Sequence, residues 1–179
     1  MSEPSDLTLE AFLSLHPWPA EHASARRLEW LWHFDVPVRP SELWPVLADT
    51  SRMNRALGVT EMKFEDRDGA RWGTSKPGGV AHAWVELPWS WVAEQWMTSV
   101  RVYERGFSRV VYAAFRLEPR QGGEQTRLYV YFGAVPRGWV GKLALGFGFP
   151  PLEKAYRALL PKIAADLTHG RAAVFVAAP

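Results

Sequence analysis

The sequence predicts an α+β fold in which a seven-stranded antiparallel sheet curves around one long C-terminal helix, with two short helices after the first strand. Three observations predict it. Residues 28–38 alternate apolar and polar, as a half-buried strand does. Residues 59–136 are a succession of strand-like runs separated by short Gly- and Pro-bearing turns, which favours antiparallel neighbours. After Pro150-Pro151, Leu152, Tyr156, Leu159, Leu160, Ile163 and Leu167 recur at helical spacing.

The elements follow in chain order. Residues 1–27 form a leader, with Leu9, Phe12, Leu13 and His16 on one short helix that His16-Pro17-Trp18-Pro19 ends, because proline lacks a donor and blocks continuation. In the first strand Leu28, Trp30, Trp32, Phe34 and Val36 share a face, opposite Glu29, Leu31, His33 and Asp35. Pro40-Ser41-Glu42 opens a helix carrying Leu43, Trp44 and Leu47, where an early proline costs little. Asp49-Thr50-Ser51 caps a second helix with Met53 and Leu57, which stops at Gly58. Strands are expected over 59–65, 70–75, 80–87, 91–103, 107–117 and 126–135. Residues 28–168 make one domain, and 169–179 form a small, apolar tail or the start of a linker.

Composition narrows the function. The net charge is +2, and the five lysines are scattered, so no basic stripe is available to neutralise nucleic-acid phosphates. No apolar run approaches the roughly 20 residues of a membrane span. The absence of cysteine excludes disulfides and thiolate chemistry. With a polar, acidic stretch over residues 1–10 unlike a signal peptide, it leads to the expectation of a cytoplasmic protein. Ten tryptophans supply either a bulky core or the lining of a cavity, since large aromatics serve both.

Two stretches carry a family resemblance. Residues 36–59, VPVRPSELWPVLADTSRMNRALGV, combine a strand end, a proline, a helix with an aromatic residue and an Asp-capped short helix. Residues 86–92 (ELPWSWV), 100–112 (VRVYERGFSRVVY) and 122–138 (GGEQTRLYVYFGAVPRG) follow. Together with the element order they resemble the START-like, polyketide-cyclase-like (SRPBCC) superfamily, which includes the birch-pollen allergens. The resemblance spans residues 28–168 and implies the helix-grip fold, a sheet wrapped around the last helix with a ligand cavity between them. It is nearest to a bacterial branch often found N-terminal to class III adenylate or guanylate cyclase catalytic domains. No cofactor is implied, and no segment resembles a cyclase catalytic domain.

Candidate site residues follow from chemistry and from that resemblance. The spacings GxxxxGK[ST], HExxH, GxSxG and GxGxxG are absent, and no two histidines stand three or four apart. His33, Asp35 and His82 make a metal set only if their strands pair; otherwise they are a solvent-facing polar row. Glu86, Glu94, Glu104, Arg101, Arg109 and the tyrosines are the ionisable candidates. Glu94 shares strand parity with Val92, Trp96, Val100 and Val102, and would act as an acid or base if that face is the concave one. It is the only catalytic candidate singled out.

For binding, Trp84, Trp96, Phe115, Phe132 and Tyr156 are expected between sheet and helix, with Met53 and Leu57 at the mouth. The same side chains would equally fill a dense core. Residues 138–149 are apolar and glycine-rich, so Trp139, Phe147 and Phe149 form a lid, a partner surface, a membrane-touching edge, or simply the first turns of the last helix.

These observations lead first to a non-catalytic module that binds a small hydrophobic, lipid- or polyketide-like ligand and regulates an effector such as a class III nucleotide cyclase. Two alternatives stand beside it: a cyclase-, aromatase- or hydrolase-like enzyme, and a lipid-transfer or protein-interaction module.

Overall fold

The computed structural model describes residues 6–170. Arg171 to Pro179, most of the expected tail, lie outside the described residues. The elements are α1 (Leu9–Leu15), β1 (Leu28–Val36), α2 (Pro40–Ala48), α3 (Thr50–Ala56), β2 (Lys63–Arg67), β3 (Ala70–Ser75), β4 (His82–Glu86), β5 (Ser90–Val92), β6 (Trp96–Arg105), β7 (Ser108–Arg120), β8 (Gln125–Pro136), α4 (Gly138–Gly148) and α5 (Pro150–Thr168).

All pairings are antiparallel, in the order β1-β8-β7-β6-β4-β3-β2, with β5 also on β6. The first and last strands are therefore neighbours, Trp30 opposite Phe132 and Phe34 opposite Leu128. The sheet has eight strands, one more than the sequence suggests. The extra strand arises at Ala93-Glu94-Gln95, where Glu94 adopts φ +64° and the chain reverses between β5 and β6. No glycine or proline marks that turn, which is why 91–103 resembles one strand. β2 starts only at Lys63, and Val59 to Met62 run outside the sheet.

Both short helices are capped, the second by the Asp49 expected from the sequence. The backbone N–H of Arg39 donates to Glu42 Oε2 at 3.0 Å, and that of Arg52 to Asp49 Oδ1 at 3.1 Å. Gly58, at φ +72°, ends the second of them. α5 runs on through Pro161.

The core has two halves, one on each side of the sheet. On the concave side Phe34, Leu43, Leu47, Leu128, Tyr156 and Leu160 are buried between sheet and helices. Phe34 and Tyr156 stack with centroids 5.7 Å apart. This is the helix-grip arrangement.

The convex side is covered by the N-terminal segment, which packs on the domain rather than leading away from it. Phe12 is fully buried and stacks on Tyr131 at 5.6 Å. Trp18 Nε1 donates to the Tyr131 hydroxyl at 2.7 Å, which in turn donates to Glu29 Oε1 at 2.7 Å. Gly133 makes room, since a Cβ there would stand 2.4 Å from the Trp18 ring. Burying each of these two aromatics contributes up to about 3 kcal/mol. Arg127 on β8 pairs with both oxygens of Asp35 at 2.7 Å and also with Asp6, tying strand, neighbour and leader together.

Candidate functional site

A cavity of about 480 Å³ lies between the concave face and the pair α4 and α5. β4, β6 and β7 form its floor, and α4 and α5 its roof. Residues 57–62 close one end. A second cavity of about 690 Å³ adjoins it beyond Met62, and a small one of about 70 Å³ lies under Met53 and Trp89. Arg101 lines all three, so it stands where they meet.

The polar chemistry sits on β4 and β6. The register places Glu86 opposite Arg101 and Trp84 opposite Tyr103. Glu86 is almost fully buried and accepts from Arg101 Nε at 3.1 Å, with Arg71 Nε at 3.5 Å on its other oxygen. A buried carboxylate needs such partners, because desolvation otherwise disfavours its charge. The Arg101 guanidinium also lies over the Trp84 ring, 5.2 Å from the centroid. Burial pushes the Tyr103 phenol up and the His82 imidazole down, so both are neutral near pH 7. His82 packs edge-on to Tyr103 and Phe107, with buried Nε2 lacking a hydrogen-bond partner. Trp84 lies against Gly73, where a Cβ would stand 2.2 Å from the ring, and its buried Nε1 also has no partner. Arg101 is the only Asp, Glu, Lys or Arg side chain lining the sheet–helix cavity among the described residues.

The sequence candidates separate clearly. Leu57, Trp84, Phe132 and Tyr156 line the main cavity, and Met53 and Phe115 line the small one beside it. Trp96 does not join them. It lies on the convex face, 5.4 Å from the His16 ring, because Met97 rather than Trp96 has the inward parity. Glu94 is likewise no acid or base of this cavity: it is exposed at the β5–β6 turn. Its parity mates Val100 and Val102 belong to the convex core. Phe149 turns inward, stacked on Trp30 at 4.5 Å, whereas Trp139 and Phe147 are exposed on α4. α4 is a helix of its own, separate from α5.

His33 and Asp35 lie on β1 and His82 on β4, with β8, β7 and β6 between, so these three do not converge. No group of three or more metal-binding side chains occurs among the described residues. In the sequence Glu86, Arg101 and the tyrosines stand only within a pool of ionisable candidates. The signal that would have selected them is parity: once Trp84 faces inward, His82 and Glu86 follow at two-residue steps.

The fold and this cavity define a class, helix-grip proteins with a sheet–helix chamber. Solved structures share this fold. The aromatase/cyclase Zhui from Streptomyces sp. R1128 superposes with a TM-score of 0.58 at 16% identity, covering 84% of this chain and all of that one. The di-domain aromatase/cyclase StfQ of the steffimycin biosynthetic pathway gives 0.56 at 11% identity, over 83% of this chain and 53% of that one. The TTHA0849 protein from Thermus thermophilus gives 0.55 at 15%, over 80% and 99%. At these identities the likeness is one of fold. No protein-family model and no curated protein sequence matches the chain.

Proposed function

We propose that the chain binds one small, mainly apolar molecule in the sheet–helix cavity, with a hydrogen-bond-accepting or anionic end of the ligand against Arg101. The observation that carries this reading is the chamber itself, about 480 Å³, walled by Trp84, Val111, Phe132, Leu145 and Tyr156 and bearing a single cation. Polyketide-like and lipid-like acids both have that chemistry. The resemblance of residues 86–138 to modules preceding nucleotide cyclases favours a regulatory role, in which the ligand stabilises one conformation of an attached or separate effector. The cysteine-free composition is in keeping with a reducing cytoplasm. Among the described residues no helix is long and apolar enough to cross a membrane.

A second reading, an aromatase/cyclase-like enzyme, draws support from neutral His82 and Tyr103 on the cavity wall, which are groups suited to proton transfer. Turnover of a poly-β-ketone substrate that is lost in His82→Ala would establish it.

Binding is tested with two fluorescent probes of one skeleton, anionic 1-anilinonaphthalene-8-sulfonate and neutral N-phenyl-1-naphthylamine. The wild type should bind one of each per chain, and Val111→Trp, which fills the chamber, should bind neither. Glu86→Gln with Arg101→Gln removes both charges together and avoids a lone buried one. It should weaken the anionic probe about tenfold, roughly 1.4 kcal/mol, and leave the neutral probe unchanged. Equal binding by wild type and Val111→Trp would place the probe elsewhere and refute the reading.

A further inference from the structure

The two faces of α4 differ in what they meet. Inward, Gly141 sits so close to the chain that a Cβ would stand 2.2 Å from the Phe107 carbonyl oxygen, and Leu145 is buried over the cavity. Outward, Trp139, Leu143 and Phe147 follow at four-residue steps with Val140 beside them, exposed by 75%, 53%, 79% and 49%. They are four of the nine large hydrophobic residues exposed among the described residues, gathered on one short helix. Such a ridge is costly in water and marks an interface.

We infer that α4 docks on the surface of an anionic phospholipid bilayer. Charge decides the sign. Arg137 and Lys142 are exposed at this helix, and the sequence holds no Asp or Glu from residue 125 to residue 152. Arg137 is held in place by donating to the Tyr103 carbonyl at 2.7 Å, a neutral partner that leaves its charge unopposed. Apolar side chains with a Trp at one end and basic residues alongside are the composition of helices that lie in the headgroup region. There the ring sits at the interface and the cations reach lipid phosphates.

Size decides against a protein partner. A stable protein interface buries about 800 Å² on each side, more than a four-residue ridge supplies, whereas a bilayer asks only that one face sink about 5–10 Å. Position agrees as well: Ala144, Leu145 and Gly148 on the same helix line the cavity, so docking sets the chamber wall against the lipid. A lipid-to-cavity route would rest on the proposed ligand role; the docking itself does not.

The test is co-sedimentation of the full chain, without ligand, on vesicles of pure phosphatidylcholine and of phosphatidylcholine mixed with phosphatidylglycerol. The wild type should bind the mixed vesicles about tenfold more tightly than the neutral ones and lose that preference in high salt. Trp139→Ser with Phe147→Ser should abolish pelleting, and Lys142→Glu should reduce the anionic preference. All of these positions are exposed, so unchanged thermal melting confirms that the variants fold. No pelleting with either vesicle, or pelleting that survives the double substitution, overturns the inference. So does a solution dimer, seen by analytical ultracentrifugation and dissociated by the double substitution, in the absence of vesicle binding.

Discussion

His16 shows how one side chain can govern the attachment of the leader. It is buried beside Phe12 and Trp96, and its Nε2 has no partner. Burial first, and then the positive charge of Arg116, bring its pKa down from 6.5 to about 4. The unfolded chain therefore binds the proton first. The neutral ring's stabilising contribution is complete above pH 6.5 and lost as the pH falls toward 4, on the order of 3 kcal/mol in total. Urea unfolding at pH 7, 6 and 5, above the range where most carboxylates titrate, should show stability falling with pH in the wild type and much less in His16→Gln. An identical slope in the variant would remove His16 from the account. In the sequence, His16 was legible as the end of a helix but not as a buried group. Glu94 illustrates the reverse: its parity suggested a buried carboxylate, yet one left-handed residue put it in a solvent-facing turn.

Elements were most legible where they are buried on one side only. β1 alternates with one lapse, Leu31, which packs in the convex core, and its apolar face of Trp30, Trp32, Phe34 and Val36 was legible in the sequence. β6, β7 and β8 are covered on both faces, so Leu128 to Tyr131 are buried in succession and parity says little about which face is concave. Trp96 was misplaced for that reason. The β5–β6 hairpin was missed because its turn lacks glycine, and this makes a prediction. Glu94→Gly relieves a left-handed non-glycine residue, at a small cost in unfolded-chain entropy. It should raise the unfolding free energy by roughly 0.5 kcal/mol and leave probe binding unchanged. A loss of binding would return Glu94 to the site.

For the whole molecule, the order of elements settled the helix-grip class, because a meander followed by an amphipathic helix has few ways to bury both apolar surfaces. What the sequence left open was whether the aromatic side chains between sheet and helix close into a solid core or leave a chamber. That depends on a few registers and on α4, whose four glycines gave no periodic signal. The structure leaves a chamber, with an arginine–glutamate pair where it meets its neighbour.

Native mass spectrometry reads whether this chamber takes one apolar molecule. The purified chain would be incubated with saturated fatty acids of increasing length and with a naphthoate. A single adduct per chain is expected, limited above a certain length, and absent from Val111→Trp. No adduct with any of these acids, or the same adducts in Val111→Trp, would contradict it.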